Sequence, residues 1–556
     1  MTATLQDDER RITAREVLAV CAVGVALSIA MHWPLVLHLG TDLPKDLGDP
    51  LSQAWQIAWG GHALRAPLSH FFQSNQFWPL HDTLAFSDAL IGYAPTGLIG
   101  EGPTAAIVRY NLLFFFSYAF CYVSAYLLCR ELGVSRKGAL VGAAAFAYAP
   151  WRLEQDGHLH VVMSGTVPLA PFLLLRGWRL RRPGMAFAAF VVLAWRMSTG
   201  FSVGLLLAYT IAVLGLVAAV AWSRAGRPRL DRGMVIATGL GVAALAATAF
   251  VLARPYLRVV TSLPEARRTA ETVAGYGEGP WMFLAGPVHG TVWGPLTAAV
   301  RNHLGFVPEQ TLFPGLAITV LAVLGARGAS PLTRPLRRGL VATIAILMVL
   351  SLGFRAHGIW RWMPYRFVYE LAPGFAAIRV PERLMVLTTL LLAILAGAGT
   401  QRLLASVHVP RLAAVLPALL FAAVLLEGSG FSRSGYAHPT APARPSALDG
   451  IPDPQLHLPA RAQDNRAYLL WSTAGFPRMV NGKSSVTPRL FLETVAKSAS
   501  FPDTASVERL RRLGVRTVVL HLARIKGTSW EDWKNRPIEG LGVRREMRRG
   551  LVVYYL

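Results

Sequence analysis

The chain has 556 residues, of which 53% are hydrophobic and only 15% charged, with a mean hydropathy of +0.41. That composition excludes a soluble globular protein and points to a polytopic membrane protein. The formal net charge of +24 does not indicate nucleic acid, because the basic residues fall largely in short links between apolar runs and read as topology signals.

In chain order the apolar runs are Val17–Leu37, Tyr110–Cys129, Gly138–Pro150, Val161–Leu175, Met185–Trp195, Phe201–Trp222, Gly233–Ala253, Thr311–Ala326, Gly339–Phe354, Leu384–Thr400 and Leu412–Leu426, eleven candidate transmembrane helices. With the N-terminus in the cytoplasm, the links bearing Arg130/Arg136/Lys137, Arg176/Arg179/Arg181/Arg182, Arg224/Arg227/Arg229/Arg232, Arg327/Arg334/Arg337/Arg338 and Arg402/Arg411 all fall inside. The long loops 38–109, 254–310 and 355–383 then lie outside, and the odd helix count places 428–556 outside as well. No small-residue cleavage site follows the first run, which is read as retained. Gly138–Pro150 and Met185–Trp195 fall short of the ~20 residues a perpendicular helix needs, which predicts broken or partly submerged helices beside a cavity. Cys21, Cys121 and Cys129 sit inside apolar runs and read as packing residues, not as a disulfide framework.

Within the first outer loop, Leu51–Leu64 reads as an amphipathic helix in the membrane interface, with Trp59, Trp78, Phe71, Phe72 and Phe77 as headgroup-level anchors. The tail opens with a Pro/Ser/Gly-rich linker, Ser429 to Asp453. Beyond it, Ala467–Trp471 and Thr517–Leu522 predict strands, Thr504–Leu513 a helix capped by Asp503, and Val543–Leu556 a hairpin turning at Arg549-Gly550. The expected architecture is an α-helical membrane domain over 1–427 and a small extracytoplasmic α/β domain over 428–556.

Three clusters carry potential chemistry. The first outer loop holds six acidic residues against three basic ones, reversing the balance of the whole chain. In it, Asp46, Asp49 and Asp88 are candidates for a general base or for oxygen ligands to a divalent cation; the competing reading makes Asp49 a helix cap and the others solvated loop residues. The second cluster is Arg152 to His160, where Glu154, Asp156, His158 and His160 follow a short helix on the same outer side, and Arg196 stands at the outer end of another. His158 and His160 could hydrogen-bond a phosphate or ligate a metal, with Glu154 and Asp156 as further acid/base or ligand groups; the competing reading is a hydrated interfacial loop and a snorkelling Arg196. The third is Arg379 and Arg383 around Glu382, where two outer arginines against the positive-inside trend suit an anionic ligand or a structural pair with Glu382.

The motifs Gly48-Asp49-Pro50 with Ala54-Trp55 and Ala58-Trp59, Phe77-Trp78-Pro79, Phe86-Ser87-Asp88, Gly157-His158, Glu309-Gln310-Thr311-Leu312-Phe313-Pro314-Gly315 and Ile378-Arg379-Val380-Pro381-Glu382-Arg383, continuing to Val480-Asn481-Gly482 and Leu513-Gly514-Val515, resemble bacterial polytopic GT-C-type glycosyltransferases. The resemblance implies a GT-C-like fold in the bacterial plasma membrane and a polyprenyl-phosphate-linked sugar as donor. It further implies a glycan, lipid or protein acceptor and an inverting transfer on the outer face for the cell envelope. By position the catalytic carboxylate falls on Asp49, with Asp46 second, and Arg379, Arg383, Arg196, His158 and His160 would face the donor phosphate. Many members carry Asp-Glu or Asp-x-Asp here whereas this chain has Asp46-x-x-Asp49, so any divalent cation stays an open requirement. Two other classes fit the same features. A lipid-linked-sugar flippase or exporter would need polar groups leading to the inner leaflet, and a non-catalytic envelope assembly protein would have its acidic residues pointing apart.

Overall fold

The computed structural model describes residues 12–224, 231–328, 330–355, 357–375, 378–430 and 438–556. Arg227, Arg229, Ala376, Ala377 and the 431–437 portion of the expected linker lie outside the described residues. The chain is mostly helical and divides into two compact units. One comprises Met1–Val36, Leu113–Val251 and Arg268–Ala437; the other comprises Leu37–Leu112, Leu252–Arg267 and His438–Leu556.

Each of the eleven apolar runs carries a helix, and among the described residues seven helical segments are long and apolar enough to cross a membrane: Ala14–Met31, Gly102–Glu131, Leu159–Arg179, Phe201–Arg224, Arg232–Ser262, Pro381–Ser406 and Pro410–Glu427. The shorter ones have separate causes. Arg136–Ala147 is buried along nearly its whole length from Gly138 onward, so it is an encased core helix. Leu316–Ala326 packs backbone to backbone on Met385–Ser406: a Cβ at Gly325 would stand 1.9 Å from the carbonyl of Leu395, and one at Gly399 1.9 Å from that of Leu321. Glycine at these crossings is what lets apolar helices associate where water supplies no driving force.

In this first unit ion pairs sort the helix ends. Glu16 is held by Arg130 at 2.9 Å and Arg136 at 3.0 Å, and Glu131 by Arg176 at 2.9 Å and Arg179 at 2.6 Å. Of the basic links, those at Arg130/Arg136 and Arg176/Arg179 thus gather on two acidic residues at helix ends.

The second unit is built around a four-stranded sheet of β1 (Gln455–Leu458), β2 (Thr517–His521), β3 (Arg544–Arg548) and β4 (Leu551–Tyr555) in the order β1-β2-β4-β3. β1 and β2 are parallel and the other pairs antiparallel, with β3 and β4 forming the expected hairpin. Asp503 caps Thr504–Arg512 through its bond from the Ser506 amide, as its position predicts. Ala467–Trp471 is not a strand: it lies in the helix Ala462–Ser472, buried from Ala467 through Ser472. A five-residue apolar run has no periodicity to separate the two states, and the strand sits earlier, at β1.

The first outer loop belongs to this same unit. Its backbone pairs with the tail, the Trp78 amide donating to Met479 O at 2.8 Å and the Met479 amide to Asn75 O at 2.8 Å. Trp78 Nε1 donates to Leu513 O at 2.9 Å, while a Cβ at Gly482 would strike the Phe77 ring at 2.7 Å. Three of the sequence motifs therefore meet in one structural seam. The helix Asp49–Ala63 is buried on most of its surface, Trp55 donating to Asn75 Oδ1 at 3.0 Å and Trp59 to Phe71 O at 3.0 Å. Trp59, Phe71 and Phe77 are buried core residues of the unit, with Phe72 and Trp78 packed against them; the expected headgroup anchors and interfacial helix are corrected accordingly. Their aromatic composition suits a protein core as well as a lipid boundary, and neighbours distant in sequence decide between the two.

Candidate active site

In the second unit the acidic segment is pinned before it reaches Asp49. The Leu43 amide donates to Pro439 O at 3.1 Å, the Ala441 amide to Thr41 O at 2.7 Å, and Thr440 Oγ1 to Asp42 Oδ1 at 2.9 Å. Asp46 is exposed and folds back to accept from the Gly48 amide at 2.7 Å, a local turn in which one carboxylate oxygen is already used. Asp49 is the first residue of its helix, so its carboxylate lies at the positive end of the helix dipole. Its side chain is 48% exposed, and Arg466 Nη2 stands 3.6 Å from its Oδ1. Asp88 is half-buried, and its carbonyl accepts from Gln56 Nε2 at 3.1 Å.

This donor set does not suit a divalent cation. A guanidinium is placed where a second anionic ligand to Asp49 would be needed, and Asp46 is turned to its own backbone. Among the described residues no three His, Cys, Asp or Glu side chains gather as metal ligands. No step is therefore routed through a metal.

In the first unit, the other two clusters converge on Glu309. This residue sits in the short helix Val307–Gln310, is buried, and accepts from Arg383 Nη2 at 3.0 Å. Burial alone would raise the pKa of its carboxyl, yet Arg383, His158 and Arg379 together hold it below the ordinary glutamate value. Arg379 lies half-buried with its guanidinium 5.1 Å from the centre of the Tyr276 ring. His158, also half-buried, is oriented by Gln155 Oε1 at 2.9 Å from Nδ1, and Gln155 is itself anchored by donating to Pro308 O at 2.8 Å. Two arginines and a histidine thus share one buried carboxylate, leaving a cationic group accessible in part. Glu382 is buried beside them, and neither of its carboxylate oxygens has a hydrogen-bond partner among the described residues.

The remaining predicted residues are engaged differently. Asp156 is fully buried, accepts from the Tyr118 hydroxyl and lies 3.7 Å from His32 Nε2. Glu154 is buried and accepts from the Val288 amide at 2.5 Å. Arg196 is fully buried and donates to the carbonyls of Met163, at 2.7 Å, and His160, so it fixes the backbone around the histidines and does not snorkel. His160 is buried, its ring 5.6 Å from that of His158. Arg152 is likewise internal, donating to Ala147 O, Ser164 Oγ and Val162 O. Only His158 of this stretch is left half-exposed. Sequence reasoning missed Arg466 and Glu309 as site residues. Glu309 did stand within a motif, but nothing local tells that Arg383 closes on it from 74 residues away.

No protein-family model and no curated protein matches the sequence. Among solved structures, a cryo-EM structure of the arabinofuranosyltransferase AftD from Mycobacteria matches 98% of this chain at 15% identity with a TM-score of 0.57. The chain therefore shares the fold of that structure. It spans 42% of the length of that AftD chain. Two crystal structures of an Archaeoglobus fulgidus oligosaccharyltransferase match more distantly. The apo form is 12% identical with a TM-score of 0.45, over 91% of this chain and 70% of its own. The form tethered to an acceptor peptide with the NVT sequon is also 12% identical with a TM-score of 0.45, over 91% and 69%. The fold likeness rests on the first match and not on these.

Proposed function

We propose that the chain is an inverting glycosyltransferase that moves a sugar from a polyprenyl-phosphate carrier to a hydroxyl of a glycan, lipid or protein at the outer face of the bacterial plasma membrane. The observation that carries this reading is the grouping of Arg379, Arg383 and His158 around Glu309 in a helical membrane unit, which suits a phosphate that gains charge as its bond to sugar breaks. The GT-C fold adds weight by analogy.

In the proposed step the acceptor oxygen forms a bond to the anomeric carbon on the face opposite the phosphate. The carbon–oxygen bond to polyprenyl phosphate breaks, its electron pair leaves with the phosphate, and the acceptor proton passes to the Asp49 carboxylate. A phosphate monoester leaves as a stable anion and needs no general acid. Arg466 orients Asp49 and complements its charge. Asp46 stands as the second candidate base, because its Oδ2 accepts none of the bonds that hold Oδ1. Arg379 and Arg383 bind the departing phosphate, His158 adds a hydrogen bond, and Arg196, Glu154 and Asp156 position the backbone that presents His158 and His160. The N-terminus would be cytoplasmic and the C-terminal segment 428–556 extracytoplasmic.

The test is turnover by the full chain in nanodiscs with polyprenyl-phosphate-linked pentoses and hexoses, following released polyprenyl phosphate. Arg379→Gln should lower kcat/KM about 10- to 100-fold with thermal stability retained, since it removes a charge-assisted contact that strengthens in the transition state. Movement of intact lipid-linked sugar across the bilayer without release of polyprenyl phosphate would replace this reading with an exporter.

A further inference from the structure

The second unit holds a cavity of ≈ 350 Å³ that the proposed transfer does not use, lined among others by His62, Arg65, Glu101, Arg109 and Phe476. It lies at the C-terminal end of the helix that begins at Asp49, thirteen residues and so about 20 Å from the proposed base. From the arginines and the helix N-terminus on the cavity lining, and from the exposed apolar side chains next to them in the chain, we infer that this is a binding site for the phosphate of an anionic membrane phospholipid.

The positive wall comes first. Arg109 is only 7% exposed, and its Nη1 donates to the carbonyls of Ile99 and, at 2.9 Å, Gly100, which fixes the guanidinium in place. Its Nε is enclosed in the protein and has no partner among the described residues, so the positive charge of the group is left only partly compensated by the two carbonyls. Gly102, also on the lining, opens the 30-residue helix Gly102–Glu131, whose first-turn amides have no acceptor within the helix and carry the positive end of its dipole. Arg65 completes the wall. It donates to Leu98 O at 3.0 Å and to Glu101 at 2.5 Å, but this pair is largely exposed, with side chains 48% and 75% accessible, and is easily exchanged for a stronger acceptor. One face is closed by rings, His62 lying 4.5 Å from Phe476 and 5.2 Å from Trp59.

Exposed apolar side chains close in the chain to the lining residues argue for a lipid as the source of the phosphate. Leu68 and Ile99 are 71% and 76% exposed, and Leu64 and Leu98 beside them are exposed too. Leu64 and Ile99 adjoin Arg65 and Gly100 in the chain, with Leu68 and Leu98 a few residues away, and Gly102–Glu131 is long and apolar enough to cross the membrane. Basic groups next to apolar side chains at the mouth of a spanning helix are set for a headgroup with acyl chains alongside.

Native mass spectrometry of the full chain in detergent, titrated with phosphatidylglycerol, phosphatidylcholine or inorganic phosphate, tests the inference. Phosphatidylglycerol should be retained in preference to phosphatidylcholine. Arg65→Gln should weaken its retention about tenfold, the loss of one charge-assisted bond, whereas Glu101→Gln should strengthen it by removing the competing carboxylate. Both variants act on an exposed pair and should keep wild-type melting. Equal retention of both lipids, no response to either variant, or inorganic phosphate binding as tightly as the lipid would overturn the inference.

Discussion

Where the helix Asp49–Ala63 crosses the segment Ile91–Leu98, two glycines meet backbone to backbone, and filling that crossing is the sharpest test of how the second unit is held. A Cβ on Gly61 would fall 2.0 Å from the carbonyl carbon of Gly97 and 2.1 Å from its oxygen, while one on Gly97 would lie 2.3 Å from Ile57 O and 2.7 Å from Gly61 N. Ordinary contact begins near 3.4 Å, so Gly61→Ala forces the two backbones apart by about 1.4 Å. No side chain can rotate out of the way. Overpacking of this kind costs about 1–3 kcal/mol, and with backbone on both sides the upper part of that range applies. The better helix propensity of alanine returns up to about 1 kcal/mol, leaving a net loss of about 2 kcal/mol. For a unit of this size that is a fall in thermal midpoint of about 4–8 °C. The assay is thermal unfolding of the detergent-solubilised chain, with Gly339→Ala as the control. A Cβ at Gly339 meets nothing within 4 Å inside the helix Arg334–Ser351, so that variant should melt at or slightly above the wild type. Gly61→Ala melting together with Gly339→Ala would refute the packing argument.

Two further outcomes follow from buried charge. His457 and His521 lie side by side in the sheet, 2.9 Å apart at Nδ1 and Nε2; burial, and then nearby positive charge, lowers the pKa of His457 to about 3 and that of His521 well below its ordinary value. Since the unfolded chain protonates near pH 6.5, stability is complete above that pH and falls as acid is added. Protonating His457 then costs about 2 kcal/mol by pH 5, His521 adds to the loss in the same direction, and a pH series of thermal midpoints should show this slope, made shallower in His521→Gln. Glu309→Gln leaves Arg383 facing a buried, uncharged neighbour and should cost about 3–5 kcal/mol. The double variant Glu309→Gln with Arg383→Met should recover most of that loss in the same melting assay, and a double variant as unstable as the single one would count against the pair.

The amphipathic and apolar periodicities were readable because they are local: each of the eleven apolar runs carries a helix, and Asp503 and the Arg549-Gly550 turn stand where their short-range chemistry places them. What the sequence hid was long-range. The aromatics of the first outer loop have the composition of membrane anchors, and only the pairing of residues 75–78 with 479–481 makes them core. The same holds for the candidate site. Glu154, Asp156 and Arg196 carry the residue types of a binding site, and their partners Val288, Tyr118 and Met163 were needed to show that they brace the fold. Conversely Arg466 reaches Asp49 from a helix that reads from sequence as a strand, so its role had no local signal.

The central claim is that Asp49 takes the acceptor proton during sugar transfer, and single-turnover release of polyprenyl phosphate by wild type and Asp49→Asn in nanodiscs tests it most directly. The side chain is half-exposed and lies in a pair too open to stabilise the unit strongly, so the variant should fold and melt like the wild type. The account predicts that donor binding survives while the rate falls at least 100-fold, the scale of a lost general base. Full transfer activity in Asp49→Asn would contradict it.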